Sequence, residues 1–122
     1  MKYLCMVIVD EKKLKALSKN DSQALDDESL AYDETLRKGG HFLAAQALQP
    51  VKAGTTLRLR NGKLSVTDGP FAETKEQIGG FILVEAKDLN EAIHLASKIP
   101  VLRFGAVEVR PVKELVASIA RK

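Results

Sequence analysis

The run Thr67-Asp68-Gly69-Pro70-Phe71-Ala72-Glu73-Thr74-Lys75-Glu76 concentrates the side chains best suited to chemistry. A carboxylate beside an ammonium stays ionised and can orient a polar substrate, while a lone desolvated carboxylate can serve as a general base. Asp68 and Glu73 are therefore the candidate catalytic acid–base residues, and Lys75 is a candidate ligand contact. The same residues have a purely structural reading, in which Asp68 closes a turn, Gly69 supplies an unusual backbone angle and Pro70 stiffens the exit. A plain hairpin needs only about two to five connecting residues. This connection is longer and heavily charged, which keeps both readings open.

Three more residues join the candidate ligand contacts: Glu108 and Arg110, which alternate onto one face of a last strand, and His41, which follows the Gly39-Gly40 pair. If they converge with the charged loop, they form a site. The competing reading is a salt-bridge network at a subunit seam, because charged groups there usually pair with one another. His41 and His94 lie in unrelated elements, and Cys5 is the single cysteine, so neither zinc nor iron spacing is present. No Gly-rich phosphate loop occurs either, and Gly79-Gly80 reads as a strand bulge or close-packing point. No metal and no cofactor are expected.

These residues must be positioned by a chain of 122 residues, enough for one domain with its own core, and the whole of 1–122 reads as a single domain. Hydrophobic residues make up 45% and charged residues 29%, as in a soluble globular protein. The net charge of +3 is spread among interleaved acidic residues and few aromatics, so no nucleic-acid partner is expected. The apolar start, Met1 to Val9, is too short to cross a membrane and lacks a small-residue cleavage site. It reads as a buried strand of a cytoplasmic protein, with Cys5 as a small core residue.

Lys2 to Val9 is nearly continuously apolar and β-branched, as a central strand should be. Ser18 and Asp21 mark the start of a helix that ends at Gly39-Gly40, with Leu25, Ser29, Tyr32 and Leu36 on one face. His41–Leu48 reads as a strand. Residues 55–60 and 63–67 flank Asn61-Gly62, a strong hairpin signal. Gly79-Gly80 opens a further buried strand through Val84, and Asp88 with Glu91 caps a second helix whose core face is Leu89, Ala92, Ile93 and Ala96. A last strand spans 105–110, and a short terminal helix is expected over 112–121.

Without the hairpin, the order is strand, helix, strand, strand, helix, strand, the α+β ferredoxin-like sandwich. Two helices cover one sheet face only. The other carries Tyr3, Cys5 and Val7 or their alternates and needs a cover, so a homodimer is expected.

The segments Asp68–Glu76, Gly79-Gly80-Phe81 and Val107-Glu108-Val109-Arg110-Pro111, with Leu48-Gln49-Pro50, closely resemble the DGPF-type branch of the YCII-related proteins. The resemblance runs from Met1 to Pro111. It implies a dimeric α/β barrel in which two ferredoxin-like sheets pack face to face, a bacterial origin, and a family of poorly characterised function with a functional link to sigma-factor systems. The wider family carries a histidine in its first helix and an aspartate before a Pro-Phe pair. Here Ser29 or a neighbour and Ile99, before Pro100, stand at those places, so the family's proposed acid–base pair is missing.

Three functions remain open from the sequence. The first is a small-ligand-binding or regulatory module with a polar cavity near the charged loop. The second is a cofactor-independent lyase or isomerase using Asp68 or Glu73. The third is a purely structural dimer.

Overall fold

The structure is a computed structural model and describes residues 1–118. Strand β1 (Lys2–Asp10) buries Tyr3, Cys5, Val7 and Val9 and leaves Leu4, Met6 and Ile8 half-buried, a strict alternation of two faces. A short helix α1 (Glu11–Lys15) follows at once, because the buried Asp10 accepts a hydrogen bond from the Lys12 amide at 3.0 Å and caps it. The long helix α2 (Lys19–Lys38) starts where Ser18 Oγ accepts from the Asp21 amide at 3.0 Å. It stops at Gly39, and Gly40 takes a φ of 78°, in the left-handed region that terminates helices.

After β2 (Phe42–Ala47), strands β3 (Thr55–Arg60) and β4 (Lys63–Asp68) form a separate hairpin. Asn61 and Gly62 both have positive φ, 51° and 76°, as a type I′ turn requires. β5 (Glu76–Glu85) leads to α3 (Leu89–Ala96), whose Asp88 cap accepts from the Glu91 amide at 2.9 Å, and β6 (Gly105–Pro111) closes the sheet.

The main sheet has the order β2-β5-β1-β6, and every neighbouring pair is antiparallel. With β1-α2-β2 and β5-α3-β6 as its two halves, this is the ferredoxin-like α+β sandwich. Leu36, Ala92, Ala96 and Ile99 pack on Tyr3, Cys5, Val7 and Val84 to make the core on the helix side. The registers Leu4↔Leu83 and Met6↔Phe81 put those four side chains on the face that no helix among the described residues covers. Of the two faces considered for the uncovered patch, it is the alternates of Tyr3, Cys5 and Val7 that lie there.

Four local readings change. α1 was not expected. β5 begins at Glu76, not at Gly79, because its first residues pair with the end of β1, Glu76↔Asp10. Gly79 is consequently inside the strand, as the extra residue of a β-bulge opposite Val7/Ile8. A Cβ on Gly79 would lie 2.8 Å from Val9 Cγ2, and one on Gly80 would lie 2.7 Å from the Gln46 carbonyl oxygen.

On α3, Ala92 and Ala96 are buried as expected, but Leu89 and Ile93 are about half exposed, because the helix is short and sits over the β6 edge. The terminal helix does not form over 112–118, where Leu115 and Val116 are 85% and 90% exposed. An isolated turn with nothing to dock on does not repay its nucleation cost. The remainder of that expected helix lies outside the described residues. Among the described residues, no helix is long and apolar enough to cross a membrane.

Candidate functional site

A cavity of about 570 Å³ lies between α2 and the β2–β5 limb of the sheet. This is within the range of small-molecule sites, roughly 300–1,000 Å³. It exists because the sheet floor there is built from small residues. Ala45, Ala47 and Gly80 face α2 where Ile82 and Val7 fill the space farther along, and the close contact at Gly80 admits no side chain. Leu14 of α1 and Ile99-Pro100-Val101, at the start of a 3-10 turn (Pro100–Phe104), wall the remaining sides.

The polar rim comes mainly from α2. Asp26, Ser29 and Asp33 line the cavity together with Leu30. Spacings of three, four and seven residues set these four side chains on one side of the helix, beside the Leu25–Tyr32–Leu36 core stripe. Burial raises the Asp33 carboxyl above its ordinary value, and the nearby Arg37 guanidinium offsets this only in part. Arg37 is itself engaged by Glu34 at 3.0 Å and stacks 4.2 Å over the Phe42 ring.

Tyr32 donates its hydroxyl to the Leu95 carbonyl at 2.5 Å and is fixed as part of the wall. Burial also pushes its phenol up. Glu11 reaches across from α1 to accept the Val51 amide at 3.0 Å, which holds a 3-10 turn (Val51–Ala53) against the cavity. Lys15 is the cation of the lining. Cys5 lies below, fully buried, its thiol raised to about 11 by burial, so it is a packing residue and not a nucleophile.

The residues singled out from the sequence lie elsewhere. Asp68 ends β4, paired with Thr55, and its exposed side chain makes no hydrogen bond among the described residues. The loop is tied instead by the Gly69 amide to the Gly54 carbonyl at 2.8 Å and by Thr56 Oγ1 to the Gly69 carbonyl at 2.9 Å. Gly69 takes φ 102°, so the glycine, not the aspartate, makes this turn. Glu73 is exposed. Lys75 lies 3.9 Å from the buried Asp10 and so reinforces the capped end of β1.

Glu108 and Arg110 do share one strand face, as expected, and it is the face without helices. They bind each other, with Arg110 Nε donating to Glu108 Oε2 at 2.8 Å. Glu108 is opposite Met6 and Lys75 is at Asp10, so about 13 Å of strand separates them at roughly 3.3 Å per residue. His41 puts Nδ1 2.8 Å from the Glu85 carbonyl and joins the end of α2 to β5. None of these six residues lines the cavity.

The positions at which the resemblance implies an acid–base pair are Ser29 or a neighbour and Ile99. Ser29 and Ile99 both line the cavity, from α2 and from the turn after α3. Residues 1–116 match the YCII-related domain. The chain belongs to the YCII-related family. A relative in Rhizobium meliloti (strain 1021), an uncharacterised protein, is 34% identical over 113 residues, covering 91% of both chains.

Among solved structures, this YCII-related chain is similar to 5-chloro-2-hydroxyhydroquinone dehydrochlorinase (TftG) from Burkholderia phenoliruptrix AC1100, in complex with 2,5-dihydroxybenzoquinone. The likeness covers 93% of this chain and 94% of that one, at a TM-score of 0.51 and 22% identity, and concerns the fold.

Asp26, Asp33, Glu11 and Lys15 were missed as candidates from the sequence. The signal available was the Asp26–Ser29–Asp33 spacing, which puts three polar residues along one edge of an otherwise apolar stripe.

Proposed function

We propose that this YCII-related protein is a small-ligand-binding or regulatory module whose ligand occupies the cavity between α2 and the β2–β5 limb. One observation carries this reading. The chain keeps a cleft of about 570 Å³, open to solvent along its α2 rim, while Ser29 or a neighbour and Ile99 stand where the family resemblance implies acid–base side chains. A cleft floored by buried apolar side chains leaves them short of packing partners, which a bound molecule would supply. A retained cavity without a proton-transfer pair favours binding over turnover. The solved relative with a small quinone bound supports the idea that this fold can hold a molecule of that size.

The working unit in this reading is a homodimer. Leu4, Met6, Phe81 and Leu83 form an apolar centre on the face without helices, with Glu108 and Arg110 beside it. A second copy packed on that face would cover them and build the barrel. Light scattering should give a dimer mass for the parent and a monomer mass for Leu83→Lys; a parent monomer at micromolar concentration contradicts this part.

Binding itself is tested by a thermal-shift screen of small metabolites. A ligand at one hundred times its dissociation constant stabilises by about 2.7 kcal/mol, and for a domain this small that is roughly 10–20 °C in Tm. Ala45→Phe, which fills the floor, should remove the shift produced by each such compound. Compounds that stabilise the filled variant as strongly as the parent would place the site elsewhere and overturn the reading.

A further inference from the structure

We infer that the cavity selects an apolar molecule carrying a protonated amine, with the amine held at the α2 edge between Asp26 and Asp33. This rests on the ligand-binding reading and adds the ligand's chemical class. The inner walls are Val7, Val9, Leu14, Ile82 and Val101, so the cleft takes an apolar body. Its charged lining is unequal: Glu11, Asp26 and Asp33 stand against Lys15.

The carboxylates also differ in what already satisfies them. Glu11 accepts the Val51 amide. Asp26 and Asp33 have no hydrogen bond or ion pair among the described residues that would compensate them. Arg37 is the cation nearest Asp33 that registers electrostatically, and it is bound to Glu34. Asp33 is half-buried and Asp26 is exposed at the rim. A half-buried carboxylate gains more from an incoming ammonium than an exposed one does, because less water screens the pair, so Asp33 is the main anchor and Asp26 adds to the field from the solvent edge. Ser29, between the two, can accept a further N–H. Helical geometry spaces Asp26 and Asp33 about 10 Å along α2, at 1.5 Å per residue. A single ammonium therefore engages one carboxylate and Ser29 at a time, in the field of both.

A carboxylate-bearing ligand meets the opposite situation. It would sit near the half-buried Asp33, which Arg37 offsets only in part, and the exposed Asp26, with Lys15 as the one cation of the lining, so like-charge repulsion disfavours it. A neutral alcohol of the same shape gains the apolar contacts and one hydrogen bond, without the charge attraction.

The test is calorimetric titration of the full chain with three molecules sharing one body: tryptamine, tryptophol and indole acetate. Tryptamine should bind about tenfold tighter than tryptophol, and indole acetate weaker than either. In a chain carrying Asp26→Asn and Asp33→Asn, tryptamine should fall to the affinity of tryptophol, while tryptophol itself is unchanged.

Tryptophol or indole acetate binding as tightly as tryptamine would overturn the inference and leave the cavity reading standing. So would an amine preference that survives the double substitution. If none of the three binds, the inference fails, and the metabolite screen on the parent and on Ala45→Phe decides the cavity reading separately. Should the double variant not fold, the ranking of the three molecules on the parent decides the question alone.

Discussion

The cavity beneath α2 and the loop over residues 69–75 both border the end of β1, yet they are built on opposite plans. Around the cavity the chain withholds side chains: Ala45, Ala47 and Gly80 leave room, and the surrounding Leu25, Leu36 and Ile82 are buried. In the loop and its hairpin the chain displays them. Leu57, Leu59, Leu64, Val66 and Phe71 are 60–76% exposed, and the Arg58 guanidinium lies over the Phe71 ring, 4.9 Å from its centre. The loop carries the more conspicuous residues and little buried structure. The cavity carries few conspicuous residues and most of the packing. Charged residues crowded into one stretch of sequence are therefore weaker evidence of a site than a void that several elements conspire to keep open.

The sharpest way to break this contrast is by truncating leucines on its two sides. Leu36→Ala, at a position 2% exposed, should cost about 2–5 kcal/mol in urea unfolding. Leu57→Ala, at a position 61% exposed, should cost no more than about 0.5 kcal/mol. A large loss at Leu57 would mean that the hairpin is covered by a partner and is not an open surface.

A smaller effect sharpens the account of the cavity wall. Tyr32→Phe removes the bond to the Leu95 carbonyl and should cost about 1 kcal/mol, while leaving the fold intact. A neutral result would show that α2 and α3 are held together by apolar contact alone.

For the loop, Asp68→Ala should change stability by less than about 0.5 kcal/mol, because Gly69 and Thr56, not the aspartate, hold the turn. Asp68→Asn should leave ligand binding as it is. Loss of binding in a fully stable Asn variant would return the function to the loop.

The smallest effect concerns acid. Asp33 has its folded value raised, so it binds a proton more tightly in the folded chain than in the unfolded one. Its contribution favours the fold at pH below the unfolded carboxyl value and is lost as pH rises through the raised folded value. Asp33→Asn removes that acid-side gain, so relative to the parent the variant should lose more stability on acidification and, at neutral pH, be as stable or slightly more so. Shallower acid sensitivity in the variant would contradict the assignment.

Much of the fold was legible because its signals are local. Ser18 and Asp88 cap helices where their spacing to Asp21 and Glu91 indicated, and Asn61-Gly62 turns the hairpin. The continuous apolar run of β1 does mark a central strand, and the bulge role for the glycine pair holds at Gly79.

Features decided by distant partners were not legible. Glu76-Gln77-Ile78 looks like loop in sequence and becomes strand only because Val9 and Asp10 pair with it. α1 depends on Asp10 being buried at the sheet end as a cap. Leu115 and Val116 have a helical stripe but nothing to pack on. A cavity leaves no sequence pattern of its own, since it is the absence of atoms among segments far apart in the chain, from Val7 to Val101.

The most direct test of where function lies is an amide NMR titration with tryptamine. Binding in the cavity should move the signals of Ser29, Leu30, Asp33, Ala45, Gly80 and Val101, which line it, and leave those of residues 69–75 in place. Movement confined to Asp68, Glu73 and Lys75, with the α2 signals unchanged, would contradict it.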